Sequence, residues 1–271
     1  MRRSEAAAAL GALLELMERL RDPERGCAWD CEQTFASIAP YTIEEAYEVR
    51  DAIERGSPEA LRGELGDLLF QVVFHARLAE ERGWFDFAAV ARSLHEKLVR
   101  RHPHLFGAGA QSAGAPGQSR QWDEIKALER AQRAQAQAGE DSALADVPLA
   151  LPALMRAAKL GRRAARVGFD WEHPGQVRAK VLEELGEIDA ALAGRADPEE
   201  IAEELGDLLF AVANWSRHLA VDPEEALRAA NGKFERRFRR MEQLAGERAT
   251  ALGTLSAGEW DALWREAKRH S

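Results

Sequence analysis

Apolar residues recur along this chain at intervals of three and four, almost from end to end. Between Ala6 and Leu20 the stripe is Leu10, Leu13, Leu14, Met17 and Leu20, one face of an amphipathic helix. No sustained run alternates Val, Ile or Thr with polar residues, so strands are not expected and the fold class reads as all-α. The punctuation agrees. Ser57-Pro58-Glu59 and Asp197-Pro198-Glu199 each join a capping side chain, a first-turn proline that needs no N–H, and an acid suited to the positive end of a helix. Thr42, just ahead of Glu44 and Glu45, is expected to cap a further helix.

The pattern is written twice. The stretch Glu64 to Phe70 recurs letter for letter as Glu204 to Phe210, at an offset of 140. Upstream, Glu44 to Glu48 matches Glu183 to Glu187 at 139; downstream, Lys97 to Arg101 matches Lys233 to Arg237 at 136. Trp122 with Lys126 is echoed by Trp264 with Lys268. Four motifs in one order at nearly constant offset mark a duplication. Two tandem helical domains are expected, 1–138 and 139–271, with the break in the polar stretch Ala138 to Asp146 ahead of Pro148 and Pro152. Gly107 to Ser119, rich in Gly, Ala, Ser and Gln, reads as a flexible loop inside the first copy.

Composition narrows the function classes. The chain has 271 residues, 46% hydrophobic and 31% charged, as a globular protein does. Its net charge of −9 disfavours a general nucleic-acid binder, and no apolar run is long enough to span a membrane. Glu5, Glu15 and Glu18 interrupt any signal-peptide core, so a cytoplasmic location is expected. Cys27 and Cys31 make no disulfide framework, lack nearby histidines for zinc, and read as reduced thiols.

The chemistry lies in acids spaced by three. Glu184 and Glu187 share one helix face; Glu204 and Asp207 share one on the next. Only Gly194 to Pro198 separates those helices, a turn short enough to make them antiparallel neighbours. Four converging carboxylates repel strongly unless a cation joins them. An all-oxygen set without histidine suits Mg²⁺ or Mn²⁺, and no Glu stands three residues before a His as a di-iron site requires. The alternative is a solvated acidic face, but Leu205, Leu208, Leu209 and Phe210 run through the same helix. Lys180, four before Glu184, and Lys233 with Arg237, four apart, supply the positive charge a polyphosphate needs beside a metal. Trp264 offers either a ring for base stacking or a core side chain. No P-loop is present.

At this point the residues resemble a family. Cys27-Ala28-Trp29-Asp30 with Glu32-Gln33-Thr34, then Arg101 to Gly107, are similar to the first copy of the MazG family of all-α NTP pyrophosphatases. Asp146-Val147-Pro148, Leu151 to Leu154 and Val167-Gly168-Phe169-Asp170-Trp171 are similar to its second copy. Ala28 and Phe35 stand where the family usually carries Pro and His. The resemblance covers nearly the whole chain. It implies Mg²⁺-dependent hydrolysis of a nucleoside triphosphate to monophosphate and pyrophosphate, cleansing the nucleotide pool, in a homodimer whose paired helices form a four-helix bundle. Carried over, Glu184, Glu187, Glu204 and Asp207 are metal ligands, and Lys180, Lys233, Arg237 and Trp264 touch nucleotide. Glu183 and Glu203 sit beside the ligands, placed to orient or deprotonate water.

The first copy keeps Glu45, Glu48, Glu64, Asp67, Lys97 and Arg101, a set that suits metal binding, but it carries Tyr41 where the second has Lys180. The second copy is therefore expected to be the main catalytic site and the first a weaker, regulatory or structural one. Two other readings stand beside this one. One is a dUTP or phosphoribosyl-ATP pyrophosphohydrolase. The other is a helical dimerisation module whose acids hold a ligand such as an alarmone without turnover.

Overall fold

The computed structural model describes residues 2–106, 125, 129 and 142–269. They fall into two compact units, Met1–Gln132 and Arg133–Ser271. The break expected between 138 and 139, the loop expected at 107–119, and Trp122 with Lys126 lie outside the described residues.

The first unit runs α1 (Arg2–Leu20), α2 (Ala28–Glu32), α3 (Phe35–Arg55), α4 (Pro58–Glu81), α5 (Phe87–Arg101) and α6 (Pro103–Phe106). The second runs α7 (Ala153–Arg166), α8 (Pro174–Gly194), α9 (Pro198–His218), α10 (Pro223–Glu247), a single 3₁₀ turn at Leu252–Thr254, and α11 (Ala257–Arg269). No strand occurs among the described residues, and no helix there is long and apolar enough to cross a membrane. Each unit is built round one long antiparallel pair, α3 with α4 and α8 with α9.

Local chemistry sets these helices. Ser57, Asp197 and Asp222 accept backbone N–H groups at the starts of α4, α9 and α10, each with Pro at the first position. Thr42 is not a cap. Thr34 starts α3 two turns earlier, through a reciprocal capping box with Ser37, and Pro40 is accommodated near that start. The helical spacing around Glu44 lies within α3, whose start is set by the stronger cap upstream. Inside the helix, the Thr42 hydroxyl lies 3.0 Å from Nε2 of His75 on α4.

The turns joining the paired helices match in conformation but not in residue. Gly56 closes α3 in the left-handed region (φ 65°); Arg195 does so for α8 (φ 58°), at a steric cost of about 1 kcal/mol that glycine avoids.

The first unit's core is Met17, Ile38, Val73, Phe74 and Leu78, with Leu13, Leu14, Phe35, Phe70 and Phe87 packed on it. The apolar stripe of α1 thus faces inward as its spacing predicts. Arg21, buried beside this core, donates to Glu81 at 2.7 and 2.9 Å and to the Asp30 and Gln33 carbonyls, with its guanidinium 5.2 Å from the Phe74 ring centroid. Arg21 thus ties the Asp30 to Gln33 part of the motif segment to α4, alongside Cys31, whose thiol faces the Leu20 and Asp22 carbonyls.

In the second unit, Met241, Leu244 and Ala245 of α10 pack with Leu263 and Ala267 of α11. A Cβ on Gly161 of α7 would meet Asn214 Oδ1 of α9 at 2.8 Å, so any side chain there would have to displace the Asn214 amide that Arg217 holds. Beyond it, Asp170 receives two bonds from Arg217 and lies 2.9 Å from His218 Nε2. Arg217, with His218 and a backbone N–H, holds the Asp170 pKa down to about 2. A depressed acid contributes stability that is whole above its unfolded pKa, about 3.9, and fades as pH falls through the folded value. Asp170→Asn is therefore expected to flatten the loss of stability between about pH 4 and pH 2. Denaturant midpoints across that range check it; an unchanged acid limb would dismiss the clamp.

Candidate active site

The antiparallel α8–α9 pair brings the predicted acids together. One oxygen each of Glu184, Glu204 and Asp207 lies within 4.8 Å of the other two. Glu184 is buried, Glu204 half-buried and Asp207 exposed, so the group opens from the helix interface to solvent. Glu187 stands outside this trio and is exposed, but it is hydrogen-bonded to Glu184. A cleft of about 350 Å³ continues from Glu187 and Glu204 past Glu200, floored by Ala190, Ala191 and Gly194.

The charges are not left bare. Lys180 Nζ lies 2.8 Å from Glu184 Oε1 and 2.8 Å from Glu183 Oε1. Its ammonium keeps the Glu184 pKa below the usual carboxylate range despite burial, and the two acids raise the pKa of Lys180 in return. Glu187 is pushed the other way, first by sharing a hydrogen bond with Glu184 and also by the charge of Glu204. Lys180 thus offsets the charge of Glu184 and Glu183, while Glu187 is pushed towards its neutral form beside them.

The first copy repeats the geometry with one exchange. Glu45, Glu48 and Glu64 form the trio, and Asp67 rather than the second acid of α3 falls outside it. Tyr41 supplies no ammonium here. Burial, then Asp67, Glu48 and Glu64, raise the Glu45 pKa, the reverse of what Lys180 does for Glu184. The two cages share a shape and differ in charge balance.

The donor set fits a hard cation. Octahedral Mg²⁺ with oxygens at about 2.1 Å places neighbouring ligands about 3 Å apart and opposite ones about 4 Å apart. Oxygens within 4.8 Å of one another would have to draw in by about half an ångström for an opposite pair and by up to about 2 Å for neighbouring ones, a side-chain adjustment. Glu184, Glu204 and Asp207 would hold the ion, with Glu187 one hydrogen bond away.

The remaining predicted residues divide. Lys180 and Glu183 are at the cage. Glu203 is exposed on α9 next to Glu204. Lys233 lies exposed on α10, and Arg237 one turn on has its guanidinium 5.9 Å from the Trp264 ring centroid. Trp264 is half-buried: it packs on the α10–α11 core and lies 5.6 Å from the Phe234 ring, so its core reading holds and one part of the ring stays accessible. Sequence reasoning passed over Glu200, which lines the cleft. Its spacing of four before Glu204, on the same helix face, was the available signal.

The description "MazG nucleotide pyrophosphohydrolase domain" matches residues 33–106 and again 173–241. The chain is 50% identical to a nucleoside triphosphate pyrophosphohydrolase of Escherichia coli K12, over 95% of this chain and 96% of that one. It is 45% identical to a nucleoside triphosphate pyrophosphohydrolase/pyrophosphatase of Thermotoga maritima, over 97% of each. A solved MazG-related protein of Thermotoga maritima overlaps 43% of this chain and 98% of its own, with TM-score 0.38 and 25% identity.

Proposed function

The chain belongs to the MazG nucleotide pyrophosphohydrolase family, and we propose that its second copy cleaves nucleoside triphosphates to the monophosphate and pyrophosphate with Mg²⁺, or Mn²⁺ in its place. The observation that carries this reading is the trio Glu184, Glu204 and Asp207 with Lys180 drawn against it. A cation bound there supplies neutralisation of the triphosphate and acidifies water beside it. Lys180, released from Glu184 when another cation takes its place, is positioned to meet a phosphate oxygen. Lys233 and Arg237 add charge from α10, and the accessible part of Trp264 takes the base. Glu183, paired with Lys180 at rest, and Glu203 are the candidate bases that orient the attacking water. Glu45, Glu48, Glu64 and Asp67 form the weaker metal site of the first copy, without the ammonium of Lys180.

What α8 and α9 leave exposed supports a reading of the assembly. Leu182, Leu185 and Leu192 on α8, with Leu205, Leu209 and Phe210 on α9, face solvent in the single chain. Leu65 and Leu69 do the same on α4. Apolar side chains in that number are best covered by a second copy, so we place the chain in a homodimer with a four-helix bundle at its centre. Cys27 and Cys31 are free thiols, which suits a cytoplasmic enzyme that clears unwanted nucleotides.

Product analysis tests the reading. Incubation of the full chain with each triphosphate and Mg²⁺ is expected to release pyrophosphate. Orthophosphate would move the cleavage to the terminal phosphate, and no release would reduce the site to a binding module.

A further inference from the structure

The last turn of α5 carries Arg100 and Arg101, and both guanidinium groups close on one carboxylate. Arg100 donates to Glu129 Oε1 at 2.6 and 2.9 Å; Arg101 donates to Oε2 at 2.5 and 3.2 Å. The Glu129 side chain is only 9% exposed. The two arginines, Arg101 foremost, hold its pKa down to about 2, so it is charged near neutral pH.

The repeat gives this contact a meaning. Arg101 is the counterpart of Arg237, and Lys97 that of Lys233, at the offset of 136. The Trp122 and Trp264 motifs, 142 apart, set Ser271 at the position matching Glu129. The second copy therefore has a hydroxyl side chain, not an acidic one, at that position. A carboxylate and a phosphate present a guanidinium with the same pair of oxygens at the same spacing.

We propose that Glu129 is a built-in surrogate for a nucleotide phosphate, occupying Arg101 and thereby keeping the first copy closed to triphosphates. A tethered carboxylate competes at an effective concentration on the order of millimolar, against which a free nucleotide without a lysine at position 41 gains little. The first copy then keeps its acid cage but does not divert substrate from the second. This rests on the reading of Arg237 as a phosphate contact, and the experiment separates the two.

The full chain is titrated calorimetrically, with Mg²⁺, against a nucleoside triphosphate bridged by methylene between Pα and Pβ. The unaltered chain is expected to bind one nucleotide. Glu129→Gln is expected to bind two, and adding Arg101→Gln is expected to abolish the second event. Glu129→Ser, carrying the residue found in the second copy, should behave as Glu129→Gln does. A folded Glu129→Gln chain that still binds one nucleotide overturns the proposal. So does unfolding of the first copy by both substitutions, because the contact would then be structural. Arg237→Gln serves as the separate arm: if it leaves the original site at full affinity, the phosphate role of Arg237 fails, whatever Glu129→Gln does.

Discussion

Glu204→Gln is expected to lower kcat/KM for Mg²⁺-dependent triphosphate hydrolysis by more than about a hundredfold while the metal-free chain melts at an unchanged or higher temperature. The magnitude follows from comparison. Losing a group that merely orients a metal ligand costs about 10- to 100-fold, and Glu204 offers a ligand oxygen itself. The sign of the stability change follows from charge. Glu204 raises the pKa of Glu187 by repulsion, and the neutral amide relieves that strain without touching the Lys180–Glu184 pair. Glu187→Ala is expected to act in the same direction. Initial rates, metal titration and a melting curve on each variant decide the matter. Full turnover by Glu204→Gln would remove it from the ligand set.

The helix pair and the meeting of acids across it were legible because both are local. A spacing of three fixes a common face, and a turn of only three residues, Arg195 to Asp197, makes the helices antiparallel neighbours, so Glu184, Glu204 and Asp207 had little freedom to miss each other. The sequence could not say which acid of each set would stand apart. Glu184 and Glu187 share a face, yet one is buried and the other exposed, because depth depends on what packs against α8 rather than on period. For the same reason the trio leaves out Glu187 in one copy and Asp67 in the other.

Pairings between distant segments were the harder part. Asp170 with Arg217 and His218, Arg21 with Glu81, and Glu129 with Arg100 and Arg101 join residues that no local pattern connects. Each involves an arginine or histidine whose partner is chosen by tertiary placement. The repeat still left a trace: Arg101 and Arg237 occupy matched positions, and only the first copy has an acidic side chain at the position of Glu129. Duplication made the comparison possible, and divergence at Tyr41 and Glu129 marks where the copies parted. Tyr41 replaces an ammonium with a phenol, and Glu129 engages the guanidinium of Arg101.

Lys180→Met is expected to lower the melting temperature of the metal-free chain, to cut kcat/KM by at least about tenfold, and to enlarge the rise in melting temperature on adding Mg²⁺. Methionine keeps the apolar stem of lysine and loses only the ammonium. That ammonium is 2.8 Å from Glu184, whose side chain is 7% exposed and would be left without its counter-charge. In the unaltered chain, Glu184 is depressed and Lys180 raised, so their mutual stabilisation is whole between the ordinary acid and lysine ranges. It fades as pH falls below about 4.5 through the folded pKa of Glu184, or rises beyond about 10.5 through that of Lys180. Near neutral pH the variant therefore loses the full contact. A divalent cation then enters a cage with no resident charge to displace, and its stabilising effect is larger than before. The three readouts separate the roles of this lysine. A fall in activity without a change in the metal-free melt would leave Lys180 as a phosphate contact alone. Recovery of both stability and turnover on adding metal would leave it as a filler for the empty cage. Only a lower metal-free melt, its rescue by Mg²⁺, and a persistent loss of turnover together support one side chain that neutralises the acids at rest and the substrate in reaction.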